Sequence, residues 1–258
     1  MLFRSGLLRV RSLRELVWAA ETLALDRPAT GDRLAIVGNG RELGLLAADA
    51  VLAEGGRLAR FDRETESALR PVLPAGVAPE NPLDLGEDAG PDRVAAALDV
   101  LLRARADLDG VLVVHAPSAR VSAEATAVAA IEAVARFSGG GRPEVLACWL
   151  GADSVRSARQ RFLERGIPAF DTPDDAIRAF VRRWRFRQHR IALMQTPPAM
   201  PEVLDIDPAT ARPMIERGLQ ADRDALDATD SAALLAVYGI SIAAPEAVRA
   251  IRAADPAP

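Results

Sequence analysis

The run Arg33-Leu-Ala-Ile-Val-Gly-Asn-Gly-Arg-Glu-Leu-Gly-Leu-Leu-Ala-Ala-Asp-Ala-Val-Leu-Ala-Glu-Gly-Gly56 constrains the fold of this 258-residue chain more than any other segment. An unbroken apolar stretch, a glycine turn and an amphipathic stretch read, in that order, as a buried strand feeding a helix: the opening unit of a parallel α/β domain. Such a unit puts a helix N-terminus at a strand's carboxyl end. There the unpaired N–H groups of the first turn and the helix dipole favour an anion such as phosphate. Asn39, Gly40, Arg41 and Gly44 are therefore the residues expected to form a phosphate-facing helix turn. The same residues also suit a plain strand-to-helix turn, and Glu42 in the first turn would satisfy the dipole itself and repel a phosphate.

Alternation continues down the chain. Strands are expected at Leu34–Gly38, Arg57–Phe61, Gly110–His115, Val145–Leu150 and Pro168–Phe170, and helices at about 43–54, 64–72, 91–105, 122–137, 154–165 and 173–189. Continuous apolar strands imply helices on both faces, and right-handed crossovers then predict a flavodoxin-like, doubly wound, five-stranded parallel sheet of order 2-1-3-4-5. Outside it stand one capped amphipathic helix, Ser12 to Leu25, and a proline-rich linker, Thr196 to Pro201. Beyond the linker come helices at Pro208–Leu219 and Asp227–Tyr238 and a strand-like Ile240–Ala243. A helix and one strand bury no core of their own, so the C-terminal stretch reads as the opening of a further domain.

Composition narrows the chemistry. A net charge of −4, with 36 acidic and 32 basic residues, argues against nucleic acid or an anionic membrane as partner. With no apolar run near the ~20 residues that cross a bilayer, and no apolar leader in Met1-Leu-Phe-Arg-Ser-Gly, a cytoplasmic setting is expected. Every basic residue is arginine, which removes Schiff-base and P-loop lysine mechanisms. Cys148, within Val145-Leu-Ala-Cys-Trp-Leu150, reads as a buried strand residue. His115 ends a central strand near the expected switch point; it could serve as a base or bind phosphate, or be a loop histidine bonded to backbone. Asn81-Pro-Leu-Asp-Leu-Gly86 lies between two helices and reads as a turn in which proline fixes φ and Asn81 and Asp84 satisfy backbone groups. Asp171–Asp175 reads as a helix cap rather than a metal site, and no metal is expected. In Arg182–Arg190, Phe180, Trp184 and Ile191 are expected to pack inward while the arginines stay solvated or meet acids.

Phe3-Arg-Ser-Gly-Leu-Leu-Arg-Val with Leu13-Arg-Glu-Leu, Arg33-Leu-Ala-Ile-Val, Asn81-Pro-Leu-Asp-Leu, Gly166-Ile-Pro, Thr172-Pro-Asp-Asp-Ala-Ile-Arg-Ala-Phe and Leu234-Leu-Ala-Val-Tyr-Gly-Ile, in that order, resemble the NDP-forming acyl-CoA synthetases. The nearest likeness is to the acetate–CoA ligase-like body fused to GNAT-type protein acetyltransferases. The resemblance implies that residues 1–27 are the tail of a preceding ligase-like domain and 28–190 a succinyl-CoA-ligase-like flavodoxin domain. It implies a linker at 191–219 and the start of an ATP-grasp domain at 220–258. The family's phosphohistidine loop would precede this chain, so neither His115 nor His189 inherits its role, and the resemblance implies that the Asn81-Pro-Leu-Asp84 loop borders an inter-domain cleft. The implied function is a module that helps position a phosphoryl intermediate and docks the CoA-binding and ATP-grasp domains. CoA and ATP with Mg would be used by the complete enzyme; this chain alone would bind no cofactor and catalyse nothing. The alternative is a regulatory scaffold of a GNAT-type acetyltransferase that senses acyl-CoA. Homo-oligomer formation is left open.

Overall fold

The computed structural model describes residues 7–10, 12–24, 30–104, 108–137, 143–195, 208–221, 224–240 and 242. It divides into two compact units, Met1–Gln195 and Thr196–Pro258. The first unit contains α1 (Leu13–Ala24), β1 (Arg33–Gly38), α2 (Arg41–Ala53), β2 (Arg57–Leu58), α3 (Arg63–Leu69), β3 (Leu83–Asp84), α4 (Pro91–Arg103), β4 (Gly110–His115), α5 (Ala123–Ala135), β5 (Glu144–Trp149), α6 (Arg156–Glu164), β6 (Ala169–Phe170) and α7 (Pro173–Met194). In the second, α8 (Pro208–Gln220) and α9 (Ala228–Val237) pack on each other, with Asp227 accepting from the Asp230 N–H as the cap of α9. The expected linker at Thr196–Pro201 and most of the strand-like Ile240–Ala243 lie outside the described residues.

All strand pairs are parallel, in the order β2-β1-β4-β5-β6. This is the expected 2-1-3-4-5 order with one addition. The loop at 81–86 contributes β3, which pairs with β1 through Val37↔Leu83 and Gly38↔Asp84, so the sheet has six strands rather than five. β2 leaves β1 after Leu34↔Leu58, and β3 takes up the same edge at its carboxyl end.

Side chains alternate across the sheet, as strand geometry requires. Leu34, Ile36, Leu112, Val114, Leu146 and Cys148 pack with α2 and α7, while Ala35, Val37, Val111, Val113, Val145, Ala147 and Trp149 pack with α4, α5 and α6. Helices on both faces account for the continuous apolar strands, each buried leucine or isoleucine contributing about 1.5–3 kcal/mol. At the amino end the sheet is fixed by charge. Asp109 accepts from the Arg33 N–H (3.0 Å) and Nε (2.7 Å), and Asp32 pairs with Arg57. Burial opposes the Asp109 charge, but its bonds from Arg33 outweigh that and hold its carboxyl below the usual range.

α1 belongs to this unit. Trp18 meets Phe170 edge-on at 6.0 Å, Glu15 pairs with Arg182, and the Thr22 carbonyl accepts from buried Arg183. The helix packs on α7 through half-buried Trp18 and Ala19 and buried Thr22, while Leu13, Leu16, Val17 and Leu23 remain exposed.

Candidate functional site at the carboxyl end of the first strand

α3, α5 and α7 begin with side-chain caps from Asp62, Ser122 and Thr172. α2 does not. Its N-cap is Gly40, with extended backbone and no side-chain cap bond, and the ladder starts with the Gly44 N–H donating to the Gly40 carbonyl at 3.1 Å. The earlier N–H groups of the first turn therefore have no partner within the helix, and they carry the positive end of its dipole.

This helix start borders a cavity of about 370 Å³ on the β3 side of β1. Gly38, Gly40, Arg41, Gly44 and Leu45 form one wall; Gly76 to Ala78 and Glu80 to Asp84 form the other. The walls meet where Pro82 abuts Gly44: a Cβ at Gly44 would lie 3.0 Å from the Pro82 Cβ, so glycine allows the loop this close. Asn81 holds the loop to the sheet. Its Oδ1 accepts from the Ile36 N–H, and its Nδ2 donates to the carbonyls of Leu34 and Ala59, each at 2.9 Å. Asp84 turns the chain out of β3, with Oδ1 accepting from the Gly86 N–H at 2.9 Å. Arg41 is exposed at the mouth; Glu42 is exposed in the same turn, and Glu80 and Asp84 add carboxylates to the lining.

The other flank of β1, toward β4, is built differently. Asn39 is buried, and its amide takes both backbone groups of Ala116: Nδ2 donates to the carbonyl (3.0 Å) and Oδ1 accepts from the N–H (2.7 Å). His115 is buried beside this clamp, stacked on Trp149 with ring centroids 5.2 Å apart, and its Nε2 has no partner. Burial pushes the His115 pKa below its usual value and favours the neutral ring. The residues expected to form the phosphate-facing turn and the cleft loops divide between the two flanks of β1: Gly40, Arg41, Gly44, Asn81 and Asp84 line the cavity on the β3 side, while Asn39 and His115 lie outside its lining. The reason is that Asn39 satisfies the backbone at the β1–β4 junction and closes it.

The other candidate residues are structural. Cys148 is fully buried, and burial pushes its thiol up to about 12. Thr172 caps α7 by accepting from the Asp175 N–H, with Asp174 and Asp175 in the first turn. In the arginine-rich stretch, Arg182 meets Glu15, Arg183 meets Glu144, and Arg185 donates to the Glu54 carbonyl. Phe180 is buried and Trp184 half-buried, but Ile191, expected inside, is exposed because α7 runs past the sheet. His189 is exposed on α7. Among the described residues no group of three or more side chains could hold a metal ion, and no helix is long and apolar enough to cross a membrane. Sequence reasoning missed Pro82 and the Gly76–Ala78 turn as walls; the turn residues Pro74-Ala-Gly76 and a glycine on the inner face of α2 were the available signals.

No family model matches the chain. It is similar to the ADP-forming acetate–CoA ligase I of Archaeoglobus fulgidus, at 29% identity over 242 residues covering 93% of this chain and 33% of that protein. It is also similar to the alpha subunit of the ADP-forming acetate–CoA ligase II of Pyrococcus furiosus, at 29% identity over 177 residues covering 68% of this chain and 38% of that subunit. Both relatives are ADP-forming acetate–CoA ligases. The chain spans about a third of the length of the curated relatives it matches. The fold is likewise that of the dinucleotide-forming acetyl-coenzyme A synthetase 1 of Ca. Korarchaeum cryptofilum, with a TM-score of 0.68 at 21% identity over 75% of this chain and 42% of that one. That synthetase has also been solved in complex with phosphate and ADP.

Proposed function

We propose that this chain is the sheet-bearing module of an NDP-forming acyl-CoA ligase of the acetate–CoA ligase type. Its task is to hold a phosphoryl group at the start of α2 while CoA-binding and ATP-grasp parts of the same enzyme dock around it. The observation that carries the reading is the uncapped α2 start opening, with Arg41, onto a cleft at the carboxyl edge of the sheet. The names of its relatives, ADP-forming acetate–CoA ligases, support acyl-CoA formation as the reaction class of the complete enzyme; the family resemblance adds an acyl phosphate on the route. No aromatic side chain lines the cleft to stack a base, which favours a phosphate-sized anion over a nucleotide, while the carboxylates of Glu80 and Asp84 oppose any anion and leave its binding to the helix start and Arg41. Nucleotide with Mg and CoA are accordingly assigned to the remaining parts of the complete enzyme. Exposed leucines support docking: Leu45, Leu46 and Leu52 on α2, and Leu13 and Leu16 on α1, are apolar surface that a partner domain would cover.

Calorimetry of the 258-residue chain with inorganic phosphate tests the reading, beside an assay for acetyl-CoA from acetate, CoA and MgATP. Saturable phosphate binding that Arg41→Ala weakens, with no acetyl-CoA formed by the chain alone, is the expected pair of results. A chain that ignores phosphate leaves only a scaffold; a chain that makes acetyl-CoA unaided overturns its role as a module.

A further inference from the structure

We infer that Asn81 is a positioning residue for the phosphate cleft, one that sets the distance between the α2 start and the opposite wall; this rests on the reading of the cleft just given. The edge of β1 has a gap. β2 pairs only as far as Leu34↔Leu58, and β3 begins at Val37↔Leu83, which leaves the Ile36 N–H facing neither strand. The Asn81 amide fills that gap as a piece of backbone would: Oδ1 accepts from Ile36, and Nδ2 donates to Leu34 of β1 and to Ala59 just beyond β2. One side chain thus ties three segments.

The residues that follow inherit their places from it. Pro82 comes to rest on Gly44, Leu83 resumes pairing with Val37, and the Leu85 N–H donates to the Gly38 carbonyl at 2.8 Å. Glu80 and Asp84, the two carboxylates of the lining, flank this anchor. Their distance from the helix start decides whether an anion is attracted by the dipole or repelled by the acids. Asn81 therefore acts on the ligand through the wall it holds, and it need not touch the ligand itself.

A structural role alone would lower stability without a specific effect on binding, so the test pairs Asn81→Ala with Asp109→Asn. The latter breaks a bonded group at the amino end of the sheet, outside the cleft lining. Phosphate affinity, melting temperature and the backbone amide signals of Gly40 and Gly44 are read for both. The expected result is an about ten-fold loss of affinity for Asn81→Ala and less than about two-fold for Asp109→Asn at a comparable loss of melting temperature. The Gly44 amide should shift in Asn81→Ala before any phosphate is added. Asn81→Gln covers the case in which the alanine variant does not fold: it keeps the amide but lengthens the tether, and should fold yet bind phosphate several-fold more weakly. Wild-type affinity in the folded asparagine variants, or an equal loss in Asp109→Asn, overturns the role of Asn81. Absence of phosphate binding by the wild-type chain instead overturns the reading of the cleft.

Discussion

On the β4 side of β1, the Asn39 amide takes both backbone groups of Ala116, His115 lies stacked on Trp149, and the junction is closed. On the β3 side, the Asn81 amide takes backbone groups of Ile36, Leu34 and Ala59 and the junction opens into a cavity of about 370 Å³. The residue type is the same and so is the kind of bond. What differs is what the asparagine ties: Asn39 joins the two loops at their exits, whereas Asn81 joins a loop to the strand edge below and leaves its outer part standing away from α2. In this sheet the flank that opens into a cavity is decided by side-chain clamps as much as by strand order.

The largest expected effect lies on the closed flank. Trp149 is fully buried, its indole N–H donates to the Ala123 carbonyl, and it packs on both His115 and Phe162. Trp149→Ala should cost about 3–5 kcal/mol in urea unfolding, with phosphate affinity preserved in the fraction that folds. Loss of binding at unchanged stability would mean that the two flanks are not separate.

The same flank should respond to acid. His115 titrates near 6.5 when unfolded and lower when folded, so the unfolded chain binds the proton first as pH falls. The neutral buried ring therefore contributes stability above about pH 6.5 that is lost as pH drops toward its folded value. Unfolding midpoints between pH 7.5 and 5 should fall less steeply for His115→Phe than for wild type, and parallel slopes would remove His115 from the acid response. Phosphate binding, whose own pH dependence follows the ionisation of the anion, should have the same pH profile in His115→Phe as in wild type.

Smaller effects belong to the open flank. Gly44→Ala brings a Cβ to 3.0 Å from Pro82; the crowding offsets the gain of about 1 kcal/mol in helix propensity, so melting should change little while the displaced wall weakens phosphate binding. Unaltered affinity would show that the Pro82 contact does not shape the cleft. Glu42→Gly removes an exposed charge from the first turn of α2 and should tighten phosphate about two- to five-fold at low salt, an effect measurable by calorimetry and suppressed by added salt.

Strand order was legible because it rests on long apolar runs whose burial on two faces leaves few topologies. β3 was not, because two residues after a turn-rich stretch carry no periodicity and their pairing depends on β2 ending early. The helix turn at Gly40 was visible as a glycine between a strand and an amphipathic stretch. Which side of β1 it opened toward was not, because that depends on where the amides of Asn39 and Asn81, 45 residues from its partner Ile36, find their bonds. The sequence left His115 open between a site residue and a loop histidine bonded to backbone; its burial and its stacking on Trp149, which depend on tertiary packing, make it part of the core.

The separation of the two flanks is tested most directly by following backbone amide signals of the intact chain during a phosphate titration. The expected result is saturable shifts at Gly40, Arg41 and Gly44 and along Leu83 and Asp84, with those of His115 and Ala116 unmoved. Shifts centred on His115 and Ala116, or no saturable shift at the start of α2, would contradict it.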